Sequence, residues 1–183
     1  FEFVSCVDMN NQHYPVVTIG TQTWMAENLR TNKYKDGTSI PHVVDPAIWG
    51  IQFTPAYCWY DNDSATFSGN YGALYKWFTV ETGNLCPNGW HVPTQAEWAD
   101  LISYLGNDSL TGGKLKASGL LHWDSPNTNA TNETGFTALP GGSRAAGTGS
   151  FQGVGQFAIW WSATGYSTSS AYCYQTNHAS GEL

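Results

Sequence analysis

Apolar and polar positions fall into a helical rhythm between residues 94 and 106. Trp98, Leu101, Ile102 and Leu105 lie at i, i+3, i+4 and i+7, a single stripe with polar residues between. Thr94, followed three residues later by Glu97, is a capping box in which each side chain satisfies an orphan N–H of the first turn. Pro93 precedes the cap without interrupting the helix, and Gly106 offers a left-handed stop. A second stripe, Tyr71, Leu74, Tyr75 and Phe78, predicts a helix capped by Asn70 and ended near Gly83. Residues 14–19 are β-rich, with Val17 and Ile19 on one face and a turn at Gly20-Thr21. Residues 23–30 read as a short helical or irregular piece anchored by Trp24 and Met25. Residues 31–69 lack a long period and carry Pro41, Pro46 and Pro55, the mark of a loop excursion with short strands. Residues 112–132 read as loop, and residues 136–139, 158–162 and 171–175 as strands of a terminal sheet. Two helices with a twisted antiparallel sheet and long loops make an α+β pattern, expected to form one domain over residues 1–183.

Composition narrows the partners. Aromatic residues reach 15% and charged residues only 11%, which disfavours long exposed helices and suits loops pinned by large flat side chains. The net charge is −7, and no basic stripe of the kind a nucleic-acid surface needs is present. No apolar run is long enough to cross a bilayer, so no direct membrane insertion is expected. The first residues do not read as a signal peptide, which suits a mature or trimmed chain. Cys6, Cys58, Cys86 and Cys173 are widely spaced, which argues against a zinc ribbon or a CxxC redox site. Their even number permits two disulfides in three connectivities, and equally permits buried thiols.

The run LCPNGWHVPTQAEW at residues 85–98 resembles the signature of the Fibrobacter succinogenes major paralogous domain family, found in secreted and surface proteins of bacteria. The blocks at residues 19–29, 57–63, 71–77, 135–144 and 160–164 resemble that family in the same order. The resemblance implies a C-type-lectin-like fold, shared with formylglycine-generating enzymes, and a secreted or cell-surface location. Relatives usually end on a strand of the type GFxVRC, whose cysteine would pair with Cys86. Here the sequence closes on Gly181-Glu182-Leu183, so the domain is expected to lack that final strand and to leave a sheet edge near residues 158–176 open or filled from elsewhere.

Candidate chemistry is sparse. Asp61 and Asp63, in Asp-Asn-Asp-Ser, place oxygen ligands at alternate positions, which calcium accepts, without the glycine and distal glutamate of an EF-hand; an Asx turn is the plainer reading. The calcium triplets of sugar-binding lectins have only a partial echo in Ser125-Pro126-Asn127, and Trp161-Ser162-Ala163 replaces the second. No cofactor is therefore expected, beyond a possible structural calcium. The five histidines show no HExxH spacing, no GxSxG elbow occurs, and only Cys173 lies late enough to compare with the copper-binding cysteine pair of formylglycine-generating enzymes. The expectation is a protein that is not an enzyme.

Residues 166–180 are dominated by Tyr and Ser, with Asn, Gln, Thr and His between them. Such a mixture resembles a paratope, where Tyr supplies broad contact at low entropic cost and small polar residues adapt. It also suits a solvated hairpin. Tyr166, Tyr172, Tyr174, Gln175, Asn177 and His178 are the candidate ligand-binding residues, on one face and near Trp123, with Cys173 pointing inward. Trp123 either stacks on a ligand or pins its loop. Adjacent Trp160 and Trp161 point to opposite faces, one into the core. Within the family, Arg144 is expected to hold loop carbonyls or a carboxylate. Some lectin-fold proteins with similar ends are diversified by retroelements. The expected function is a binding module of adhesin or receptor-binding type, bacterial or phage-encoded, for a glycan or protein. The alternatives are a structural envelope module without a ligand, and an oxidase of the formylglycine-generating type.

Overall fold

A computed structural model describes residues 6–183. The chain is mixed α and β, with short helices and small antiparallel sheets. Val16–Ile19 (β1) and Gln22–Met25 (β2) pair around Gly20-Thr21. Gly20 takes φ +63°, the conformation a two-residue hairpin turn demands. The segment expected to be helical or irregular is therefore half strand: the turn returns the chain along β1 and buries Trp24.

The middle of the chain holds more structure than its lack of period suggests. Pro46–Ile51 (α1) begins with proline in its first turn, and Asp45 accepts from the Ala47 and Ile48 N–H groups. Ser64–Tyr71 (α2) is capped by Asp63 and ended by Gly72 at φ +71°. This overturns the helix expected to start at Asn70, which lies in the last turn of α2. A Cβ at Gly72 would stand 2.7 Å from Leu29 O, so a side chain here would collide. Beyond it, Leu74–Tyr75 (β4) pairs with Tyr57–Cys58 (β3), and Trp77–Glu81 (α3) follows. Alternating apolar residues on a strand and a helix had imitated one helical stripe.

Gln95–Tyr104 (α4) follows its sequence closely. Thr94 Oγ1 accepts from the Glu97 N–H, and Glu97 Oε2 accepts from the Thr94 N–H at 2.8 Å. Trp98 and Leu101 are each 1% exposed, and Gly106 takes φ +105°. Thr111–Leu115 (α5) lies where a loop was expected. Residues 136–139 form only a single parallel bridge, Lys116 to Ala138, because Thr137 sits at φ +58° with its N–H donated to Asn132 Oδ1. Gly141–Arg144 (β5) and Phe151–Val154 (β6) make a hairpin, and Phe157–Ser167 (β7) and Ser170–Asn177 (β8) a longer one.

The two adjacent tryptophans of β7 serve two cores. Trp160 packs at 5.9 Å from Trp98 in the cluster of Ile19, Trp24, Leu101 and Phe136. Trp161 packs at 6.0 Å from Trp77 in the cluster of Ile40, Tyr57 and Val80. Strand alternation makes β7 the wall between them.

Candidate functional site

The terminal hairpin carries most of the residues the sequence singled out. Register places Trp160 opposite Tyr174 and Trp161 opposite Cys173, with a bulge before Gly165 and Ala171. Tyr172, Tyr174 and Thr176 thus share one face of β8, while Cys173, Gln175 and Asn177 share the other. Of the six candidates, several of which were expected on one face, Tyr172 and Tyr174 share a face, with Tyr166 against Tyr172, while Gln175 and Asn177 lie on the other.

The first face runs from core to solvent. At its base Thr176 is fully buried and donates to Glu182 O. Tyr174 comes next, half-buried, stacked on Trp98 at 4.7 Å and 21°. Tyr172 is 37% exposed, and Tyr166 across the bulge is 73% exposed. Their rings meet edge to face at 5.5 Å and 87°, the arrangement the ring quadrupoles favour. Residues 167–170 beside them are all exposed and consist of Ser and Thr. On the second face Gln175 is exposed. Asn177 turns its side chain to the Ala179 N–H, and His178 Nδ1 meets Ser125 O at 2.9 Å.

Some residues move from the ligand column to the framework. Trp123 is 2% exposed, and its indole N–H donates to Ala138 O at 3.0 Å. It pins the loop, which does adjoin the hairpin through the Thr128 N–H to His178 O. Cys173 lies opposite Trp161, on the face toward the second core, yet it is exposed rather than buried in that core. All four cysteines are free, so neither of the disulfides that their number permits is formed. Burial, together with Cys6 nearby, pushes the Cys86 thiol up to about 12, and burial pushes Cys58 up to about 11. Asp63 is occupied as the cap of α2, and Asp61 is exposed at φ +50°. No group of three or more metal-ligating side chains occurs among the described residues.

Three buried cations hold backbone carbonyls: Lys76, which donates to Trp49 O and Gln52 O, Lys116, and Arg144, whose role the family resemblance implied. Arg144 does hold loop carbonyls: its guanidinium donates to Val43 O, Val44 O and Gly149 O at 2.7–2.9 Å. Lys116 was not singled out. It is fully buried, donates to Thr128 O, Asn177 O and Ser180 O, and lies over the Trp123 ring. Burial pushes its pKa down to about 8. A lysine between Leu115 and Ala117 carries no sequence mark of this, because its partners are backbone carbonyls from distant loops.

A groove of about 900 Å³ opens beside α4. Half-buried Trp90, Val92 and Trp160 line it over the buried core rings of Trp24, Trp98 and Phe136, and Glu27, His91 and Glu97 are also among its lining. Burial alone would raise the Glu97 carboxyl, but the Thr94 N–H and hydroxyl and the His91 ring hold it below its usual range. The groove was invisible in the sequence because its walls come from separated segments, none of which has a binding motif.

No helix among the described residues is long and apolar enough to cross a membrane. A family model described as "Fibrobacter succinogenes major domain" matches residues 17–180. The comparisons with curated proteins and with solved structures gave no match.

Proposed function

The chain belongs to the Fibrobacter succinogenes major domain family, and from that premise we propose that it is a secreted or surface-exposed binding module of C-type-lectin-like architecture, a single domain with no catalytic role. Its ligand is a glycan or a protein on a cell surface, met by the tip of the terminal hairpin. The observation that carries this reading is the exposed edge-to-face pair of Tyr166 and Tyr172, set among exposed Ser and Thr. A tyrosine pair held by its own contact offers flat, amphipathic area with little further entropy to lose, and neighbouring hydroxyls supply adaptable hydrogen bonds. Gln175 extends the polar surface on the opposite face of β8. Asn177 and His178 support its base rather than the contact surface, and Trp123 fixes the adjoining loop.

The test is a glycan array together with whole-cell adhesion, run on the natural chain and on the doubly substituted Tyr166→Ala, Tyr172→Ala chain. The double variant is expected to lose binding and to melt within about 0.5 kcal/mol of the natural chain, the usual range for surface positions. A chelator should leave binding intact. Retained binding by the double variant would move the contact surface elsewhere, and binding abolished by chelation would replace this reading with a calcium-bridged one.

A further inference from the structure

A second hollow, of about 520 Å³, lies where the turn at residues 8–12 meets residues 27–32, Trp59 and the Ser68-Gly69 step of α2. It shares Glu27 alone with the groove beside α4. Its polar side chains are held by the protein itself. Buried Asp8 accepts from the Asn10 and Gln12 N–H groups and from the Tyr14 hydroxyl, which sets the turn. The Asn10 amide donates to Asn32 Oδ1 at 2.8 Å and accepts from the Thr31 hydroxyl. Arg30 lies over the Tyr14 ring and donates through Nη1 to Glu27 Oε2 and through Nε to Gln12 Oε1. These contacts use one end of each group and leave the other. Among the described residues, no hydrogen bond engages Gln12 Nε2, Arg30 Nη2, Glu27 Oε1 or the Trp59 indole N–H. Gln12 and Glu27 are exposed, and Arg30 and Trp59 are half-buried. Three unspent donors and an unspent acceptor thus belong to the lining of one preorganised hollow.

We propose that this hollow is a second ligand site of the chain and takes one neutral pyranose unit of a glycan. A sugar hydroxyl both donates and accepts, so it suits a lining that offers donors and an acceptor together. The pair of Arg30 and Glu27, 2.8 Å apart, sets the charge of the ligand. An anion would meet the Glu27 carboxylate and a cation the Arg30 guanidinium, whereas a neutral polyol meets neither penalty. Its hydroxyls gain charge-assisted bonds from both groups. The Trp59 indole supplies apolar area for the C–H face of the ring and a polar N–H beside it. A peptide would need a strand edge or several apolar pockets, and the lining has one ring and no strand residue. The volume falls within the roughly 300–1,000 Å³ of small-molecule sites. None of these residues belongs to the terminal hairpin, so the site stands whether or not the hairpin tip binds.

The probes are the methyl glycosides of glucose, galactose and mannose, titrated into the intact, isotopically labelled chain. The nine indole N–H signals are followed by NMR, that of Trp59 being assigned by Trp59→Phe. At least one glycoside is expected to shift the Trp59 signal saturably. Gly69 supplies a block. It lies in α2, and a Cβ there would meet nothing within 4 Å, so Gly69→Trp fits without a clash and should abolish the shift. Gly69→Ala, which leaves the hollow open, should keep it. Gln12→Ala removes one exposed neutral donor and should weaken binding about three- to tenfold with an unchanged melting curve. Glucosamine and methyl glucuronide should each bind more weakly than the neutral glycoside. The chain with Tyr166→Ala and Tyr172→Ala should bind the glycoside normally, which separates this site from the hairpin tip. No shift of Trp59 with any of the three glycosides, a shift that survives Gly69→Trp, or tighter binding of a charged sugar overturns the proposal.

Discussion

The base and the tip of the terminal hairpin have the same kind of sequence and opposite fates. Tyr172 and Tyr174 sit two residues apart on one face of β8. Tyr174 lies flat on Trp98 with its hydroxyl toward Gln95 O, whereas Tyr172 meets the Tyr166 ring edge to face at the exposed end. What separates them is the reach of α4. Through Trp98 and Gln95 the helix reaches Tyr174 and Thr164, and past the bulge between Trp161 and Gly165 residues 165–170 are exposed. A tyrosine is amphipathic enough to serve in either place, so residue type alone does not say which it does.

This contrast orders the expected effects of substitution. The largest belongs to the base. Trp98 touches Trp24, Trp160 and Tyr174, and Trp98→Ala should cost about 3–5 kcal/mol in urea unfolding, as buried aromatic truncations do. A loss below about 1 kcal/mol would mean that α4 does not hold the base, and the contrast would collapse. Next comes Lys116→Met, which keeps the stem but leaves the carbonyls of Thr128, Asn177 and Ser180 without their donor. Each unsatisfied buried carbonyl costs about 1–3 kcal/mol, reduced wherever water enters, so a total of about 3 kcal/mol is expected. Amide exchange should locate that loss at residues 177–180 and spare the tip.

Smaller is Thr94→Ala, which removes the cap of the helix that covers the base and should cost about 1 kcal/mol. It carries a pH signature. Because the folded Glu97 carboxyl is held below its ordinary range, its contribution is present above that range and lost as pH falls through the folded value. The natural chain should therefore lose part of its advantage over Thr94→Ala in acid; a constant difference would detach Glu97 from the cap. The smallest effect belongs to Cys173. It alone of the four thiols is exposed, so an aromatic disulfide reagent should release one equivalent from the folded chain and four in urea. Labelling should leave the melting temperature unchanged. Fewer than four equivalents in urea would reveal a disulfide, and a large shift on labelling would extend the core outward past the edge of the base.

Local signals explain which parts of this fold were legible. The box at Thr94 and Glu97, the stripe through Leu105 and the stop at Gly106 are all interactions within a dozen residues, so sequence spacing specifies them fully. The family followed from ordered blocks and needed no geometry. Asn70 misled because Tyr71, Leu74, Tyr75 and Phe78 keep helical spacing although Gly72 breaks the helix between them. The candidate site was legible only in part. Tyr166 and Tyr172 stand exposed, but Trp123 spends its N–H on Ala138 O and Cys173 is exposed rather than buried.

By itself the sequence determined the capped helix, the turn at Gly20-Thr21, the strand alternation of β7 and β8 and the family. Tertiary structure alone decided which face of the hairpin is covered, that Trp160 and Trp161 enter separate cores, that Lys116 gathers carbonyls from distant loops, and that separated segments line one groove. The physical reason is range. Capping and turn formation are settled among neighbours in the chain, whereas burial depends on what segments a hundred residues away bring to the same place, and an amphipathic aromatic accepts either outcome.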